Sequence, residues 1–240
     1  MRIVLPPPLA ERARAVRAGT EPAAPLRPAA TVVLLRDVDG LEVYLQHRHR
    51  RLSFAGGVYA FPGGRVDPAD ARAADASLGL PAQEWARRFE SSVDEARAHV
   101  AAVLRELEEE TGVAMDGHAL VGWSRWVTPR FERRRFDTWF FAAALPGGQE
   151  PRVATSESHA GRWMHPLDAL RALDRAEMAM LPPTWWTLRE LAERGTLARA
   201  LADPPAMRRH TVGWTTDGED VVMALPGDPA YPGDDPLEGT

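Results

Sequence analysis

Two periods of apolar residues alternate along this chain. Residues 31–36 form a β-branched and leucine run, and residues 41–46 alternate apolar with polar positions. Asp37-Val38-Asp39-Gly40 supplies turn residues between them, so the two segments read as a hairpin or as neighbouring strands. Residues 56–62 read as a short strand running into Gly63-Gly64, a glycine pair that lets backbone approach a ligand closely. The period then lengthens. Pro81 opens a helix that runs to Phe89, and Ser92 caps a longer one that runs to about Thr111 and stops at Gly112. Val93, Ala96, Val100, Val103, Leu104 and Leu107 are its apolar stripe. Strands are predicted at 120–127, 136–145 and 161–164, and helices at 166–181 and 183–194.

The ends are less patterned. Residues 1–28 contain Pro6-Pro7-Pro8 and one or two helical turns at 9–18, and read as a lead-in arm. The last 35 residues are rich in proline, glycine and aspartate, with one expected strand at 220–225. Between arm and tail, residues 29–203 read as one domain, with a polar, alanine-rich insertion at about 67–91 and a tail, 204–240, packed on it or extending it. A 240-residue chain with 45% apolar content fills such a core. Its formal charge of −5 argues against nucleic-acid binding through a generally basic surface. The absence of cysteine excludes disulfides and thiolate metal sites. No run of residues is long and apolar enough for a membrane span or a signal-peptide core, so a cytoplasmic protein without a membrane partner is the expectation.

The helix at 92–111 carries the chemistry. Glu106, Glu109 and Glu110 fall at i, i+3 and i+4, so three carboxylates share one face beside Arg105, while Glu108 points away. Like charges so close need a cation among them, and a hard divalent ion held by carboxylates and substrate phosphates is the simplest one. Arg105 either pairs with Glu109 on the surface or fixes a glutamate of a site. His47, His49 and His159 have no metal-ligand spacing. Arg130, Arg133, Arg134 and Arg135 read as a solvated loop or as a positive patch that grips phosphate through forked donors. Trp123, Trp126 and Trp139 are expected in the core.

Residues 105–113, Arg-Glu-Leu-Glu-Glu-Glu-Thr-Gly-Val, together with Gly64, resemble the signature of the Nudix hydrolases, G-x5-E-x7-R-E-U-x-E-E-x-G-U with U a bulky aliphatic residue. The second half matches throughout. Arg105 follows Gly64 by 41 positions, 27 more than the motif allows, and counting back from Arg105 puts Arg97 where the family has glutamate, with Asp94 and Glu95 out of register. The stretch Leu45 to Asp70 is similar to the lead-in of the coenzyme A diphosphatase branch: Arg48 and Gly57 to Gly64 fit, and Ser53 replaces a second arginine. A long insertion and a Val-Asp-x-x-Asp after the glycines are closest to the peroxisomal members of that group.

The resemblance implies an α/β fold, the Nudix α/β/α sandwich with a mixed β-sheet, here with a helical insertion and C-terminal helices. It implies hydrolysis of a diphosphate linkage in a nucleoside diphosphate derivative, with coenzyme A or an acyl-coenzyme A first, and ADP-ribose, a dinucleotide or a modified nucleotide as alternatives. A non-catalytic nucleotide-sensing domain is the reading from another class. Mg²⁺ or Mn²⁺ is the implied cofactor, with Gly63, Glu106, Glu109 and Glu110 as ligands. Arg105, Glu106, Glu109 and Glu157 are the implied catalytic residues, with Glu106 or Glu157 as base. Arg48, Gly64, Arg130 and Arg134 are the expected substrate contacts. The insertion is expected to cover one side of the cleft and to select the substrate's tail. A homodimer is the default assembly, with the helix bearing Trp185-Trp186 as a candidate contact surface.

Overall fold

The computed structural model describes residues 3–51, 55–225, 227 and 231; Ser53 lies outside them. In chain order the elements are β1 (Ile3–Val4), α1 (Pro7–Arg17), β2 (Leu26–Asp37), β3 (Leu41–Arg48), β4 (Tyr59–Ala60), β5 (Gly63–Arg65), α2 (Ala82–Phe89) and α3 (Val93–Thr111). There follow β6 (Val121–Val127), β7 (Arg135–Ala144), β8 (Ser158–Met164), α4 (Pro166–Asp174), α5 (Pro182–Arg194), α6 (Leu197–Ala202), β9 (Arg209–Thr211), β10 (Gly213–Asp217) and β11 (Asp220–Ala224). The chain divides into two compact units. The larger comprises residues 28–124 and 139–207, and the smaller residues 1–27, 125–138 and 208–240.

In the larger unit the strands run β4-β3-β2-β7-β6, with β5 added to β2 and β8 to β3. Val32, Val33, Leu34 and Leu35 are all fully buried, as they must be in a strand covered on both faces. Val32, Leu34 and Tyr44 meet Val100, Val103 and Leu107 of α3 on one face, and α4 packs on β3. A mixed α/β fold follows: the β3 pairings are antiparallel, and β9 joins the Arg125–Val127 end of β6 in parallel.

The insertion contributes to the core. Trp85 and Phe89 of α2 are buried against Trp139 and Phe141 of β7; Phe89 stacks on Trp139 at 3.9 Å, and Trp85 meets Phe141 edge-on at 5.6 Å. The Trp85 indole N–H is satisfied by Leu78 O at 2.9 Å. Apolar residues four apart on a short helix thus supply core volume, which the alanine-rich composition of the stretch conceals.

The helix expected to reach residue 181 stops at Asp174, and Ala176 turns the chain with φ +57°. Pro182 holds Leu181 in an extended conformation and restarts the helix there.

In the smaller unit β1-β11-β10 is an antiparallel sheet, and Leu5, Ala10, Ala13, Phe131, Trp214 and Val221 form its own core. Arm and tail therefore belong to one unit. The expected strand at 220–225 is β11, and it gains a hairpin partner, β10, because Asp217 pairs with Asp220 across a two-residue turn at Gly218-Glu219.

Because α2 is core, truncating it is costly. Trp85→Ala is expected to destabilise the protein by about 3–5 kcal/mol in urea unfolding. Arg87→Ala, on the exposed face of the same helix, should leave the midpoint unchanged.

Candidate active site

Helix α3 is aimed by its ends and its stripe. Ser92 Oγ accepts from Glu95 N at 3.2 Å and Ser92 N donates to Glu95 Oε2 at 3.1 Å, closing a capping box. Gly112, with φ +72°, ends the helix. With Ala96, Val100, Val103 and Leu107 buried, the last turns bring their carboxylates to β5, whose Gly63 and Gly64 pair with Thr31 and Ala30 of β2.

Both glycines are needed for this approach. A Cβ on Gly63 would lie 2.4 Å from Ala30 O, and one on Gly64 would lie 2.4 Å from the carboxyl carbon of Glu106. Gly63 N donates to Glu110 Oε2 at 3.0 Å, so the double-glycine bend and the end of the helix are joined directly.

Arg105 is the hub. Its Nε and Nη2 donate to the two oxygens of Asp70 at 3.1 and 3.0 Å, and its Nη1 donates to Glu106 at 2.9 Å and to Glu109 at 3.0 Å. Nη2 also donates to Arg65 O at 3.0 Å. Of the two readings of Arg105, this geometry favours the one in which it fixes glutamates. Asp70 is buried and accepts from Asp67 N at 2.7 Å.

Asp70 is the residue that counting back from Arg105 misses. Counted forward from Gly64, the motif's acid falls on it, so the extra residues lie between Asp70 and Arg105 and not before the acid. Arg97 is accordingly no part of the cluster. Its guanidinium donates to Ala73 O at 3.0 Å and pairs with Asp75 within the insertion.

The electrostatics follow from burial. Glu110 is only 4% exposed, and loss of solvation pushes its pKa up to about 7, against the pull of the Gly63 N–H and of Arg48. Burial also raises Glu106, opposed by Arg105 and aided by Glu109 and Glu157. Arg105 is raised, chiefly by its hydrogen bonds to Asp70. Glu157 is exposed in the loop before β8, 3.5 Å from Arg48 and within electrostatic reach of Glu106 and Glu110. The Arg48 Nε is buried without a partner.

Arg130 and Arg134 fall in the smaller unit, in the loop between β6 and β7. Neighbouring Arg135 is buried and spends its donors on Thr128 O and Ala24 O. Trp123, Trp126 and Trp139 are all buried.

The donor set suits a hard dication: carboxylate oxygens, one of them held at a desolvation cost that a cation would offset. Among the described residues no three acidic or histidine side chains converge as ligands of one ion. Glu106 and Glu109 are turned to Arg105, and Glu110 to Gly63 N.

Residues 89–184 match the family model of the NUDIX domain, and the chain carries a Nudix domain. The match begins after Gly63, Gly64 and Asp70, as expected if the insertion separates them from the rest of the motif. Among solved structures, the chain is similar to a NUDIX hydrolase from Alicyclobacillus acidocaldarius, with 26% identity and a TM-score of 0.64 over 76% of this chain and 98% of that one. Among curated proteins, it is 27% identical over 137 residues to the acyl-coenzyme A diphosphatase NUDT19 of Xenopus laevis. That alignment takes in 50% of this chain and spans 34% of the relative's length.

Two measurements check the hub and the buried acid. Asp70→Asn removes the charge that Arg105 grips and is expected to cost about 1–3 kcal/mol in denaturant unfolding, with partial recovery in Asp70→Glu. For Glu110 the folded pKa lies above the unfolded one. Its contribution is therefore full below about pH 4 and is lost as pH rises through about 7 in the metal-free protein. Glu110→Gln should raise Tm by several degrees at pH 8 and leave it unchanged at pH 4, read by thermal unfolding in a chelator.

Proposed function

We propose that this protein is a metal-dependent pyrophosphohydrolase that cuts the diphosphate linkage of a nucleoside diphosphate derivative, with coenzyme A or an acyl-coenzyme A as the preferred substrate. The observation that carries this reading is the Arg105 hub, which holds Glu106 and Glu109 in place beside the Gly63-Gly64 bend. A solvated glutamate-rich helix has no use for a buried aspartate that locks its arginine. Coenzyme A is favoured by the likeness to an acyl-coenzyme A diphosphatase and by the Arg48 and Gly57-to-Gly64 pattern.

Glu106, Glu109, Glu110 and the Gly63 carbonyl would hold Mg²⁺ or Mn²⁺, which when bound neutralises phosphoryl charge and lowers the pKa of water. The residues of the chain do the positioning. Gly64 leaves room for the Glu106 carboxylate, and Arg105 fixes the orientation of that carboxylate. Glu106 and Glu157 are the two candidates to take a proton from the attacking water, the first fixed by Arg105 and the second exposed beside Arg48. Arg48, which faces Glu157 at 3.5 Å, is the candidate to donate to a phosphate oxygen. Phosphoryl transfer needs this kind of positioned charge more than it needs a nucleophilic side chain.

The test is turnover of coenzyme A and ADP-ribose with and without Mg²⁺ or Mn²⁺, with products identified by mass spectrometry. Metal-dependent release of 3′,5′-ADP from coenzyme A is expected, and Glu109→Gln should lower kcat by about a hundredfold or more, since a neutral amide keeps the shape and loses the charge. Nucleotide binding without metal-dependent turnover would replace this reading with that of a sensor domain.

A further inference from the structure

Four aromatic rings touch where β3, β4 and β8 meet. Tyr59 lies flat on His47, with centroids 4.3 Å apart and planes 12° from parallel. His159 tilts against His47 at 4.2 Å, and His49 meets the edge of His159 at 5.9 Å. Tyr59 is buried, His47 and His49 are half-buried, and His159 is exposed. One donor of the group is already committed: His47 Nε2 donates to Gly57 O at 3.3 Å.

Two guanidiniums flank the rings. Arg162 stands over Tyr59 at 5.4 Å, and the Arg50 side chain lies against Gly57. Burial acts first to lower the His47 pKa, against the pull of the Gly57 carbonyl, and His159, Arg50 and Arg162 lower it further, so both guanidiniums lie within electrostatic reach of the ring. Elsewhere in the same unit Arg36, Arg48, Arg97 and Arg105 each face a carboxylate. Among the described residues Arg50 and Arg162 make no ion pair, although the chain has 34 acidic residues. Two guanidiniums beside the same rings, neither in an ion pair of its own, are better satisfied when an anion joins them.

The group sits beside the candidate active site. His47 and His49 bracket Arg48, and His159 follows Glu157 by two positions; Glu157 takes the His49 N–H on its backbone oxygen at 2.7 Å and is paired through its side chain with Arg48.

We propose that Arg50, Arg162 and the His47–His159 imidazoles bind a phosphate monoester carried by the substrate, separate from the diphosphate that is cut. Forked guanidinium donors and ring N–H groups match phosphate oxygens, while the exposed His159 leaves the site open to solvent. This rests on the diphosphate-hydrolase reading and narrows it. A substrate with a phosphate at the 3′ position of its ribose, as in coenzyme A, satisfies the site, and ADP-ribose does not.

The experiment compares coenzyme A with 3′-dephospho-coenzyme A in Mg²⁺, for wild type and for the double variant Arg50→Gln, Arg162→Gln. Both positions are exposed, so Tm is expected to hold. Wild type should favour coenzyme A in kcat/KM by about tenfold or more, mostly through KM, and in the variant the ratio should fall toward one. A wild-type ratio of one, or a ratio unchanged in the variant, overturns the site. Calorimetry with adenosine 3′,5′-bisphosphate and adenosine 5′-monophosphate supplies a readout that does not need turnover. The bisphosphate should bind wild type about tenfold tighter than the variant, and the monophosphate should not distinguish the two proteins. Selective binding of the bisphosphate without hydrolysis of either coenzyme would overturn the hydrolase reading and leave the site standing. Failure to prefer the bisphosphate overturns the site whatever the turnover.

Discussion

A single guanidinium ties together the parts of the candidate site that lie far apart in the chain. Arg105 reaches Asp70 at the start of the insertion, Arg65 on β5, and Glu106 and Glu109 on its own helix. Without it three acidic side chains on neighbouring turns would repel one another and splay into solvent. With it two of them are held in fixed rotamers, which is the geometric condition for gripping a cation or directing a water molecule. The fork of a planar guanidinium is suited to this because several acceptors can share its five N–H donors at once.

That hub depends in turn on packing some distance away. Arg105 can meet Asp70 only if the chain leaving Gly64 returns to α3, and the residues between are anchored by Trp85 and Phe89 in the core. An insertion that lengthens the motif by 27 residues is thus accommodated without disturbing the site, because it begins after the acid and buries its own apolar face. The cost appears at Glu110, a carboxylate kept out of water and offered one backbone N–H. A group in that condition is poised for a positive charge.

The readable elements were those with a strong period and clear punctuation. Ser92, Glu95 and Gly112 mark the ends of α3, and its stripe reads directly from apolar spacing. Asp70 is less visible, because the intact half of the motif sets the register from Arg105 and the insertion lies between the two; from Gly64 the spacing leads to it directly. The tail hid a hairpin, since Asp217-Gly218 is a turn signal only when both flanking segments are recognised as strands. The role of α2 was hidden too: an amphipathic segment of eight residues looks alike whether it covers a cleft or fills a core.

By itself the chain of residues determined the local matters: a helix with three acids and an arginine on one flank, a double glycine that permits close approach, and no cysteine for any softer metal chemistry. These follow from periodicity and side-chain type, which need no knowledge of partners distant in sequence. Tertiary structure alone decided that Arg105 grips both oxygens of Asp70, that Arg97 belongs to the insertion's own ion pair, and that His47, His49 and His159 come together near Arg50 and Arg162. Such pairings are set by how strands add to a sheet and where a helix is buried, and side chains dozens of positions apart acquire a common electrostatic environment only after that burial has occurred.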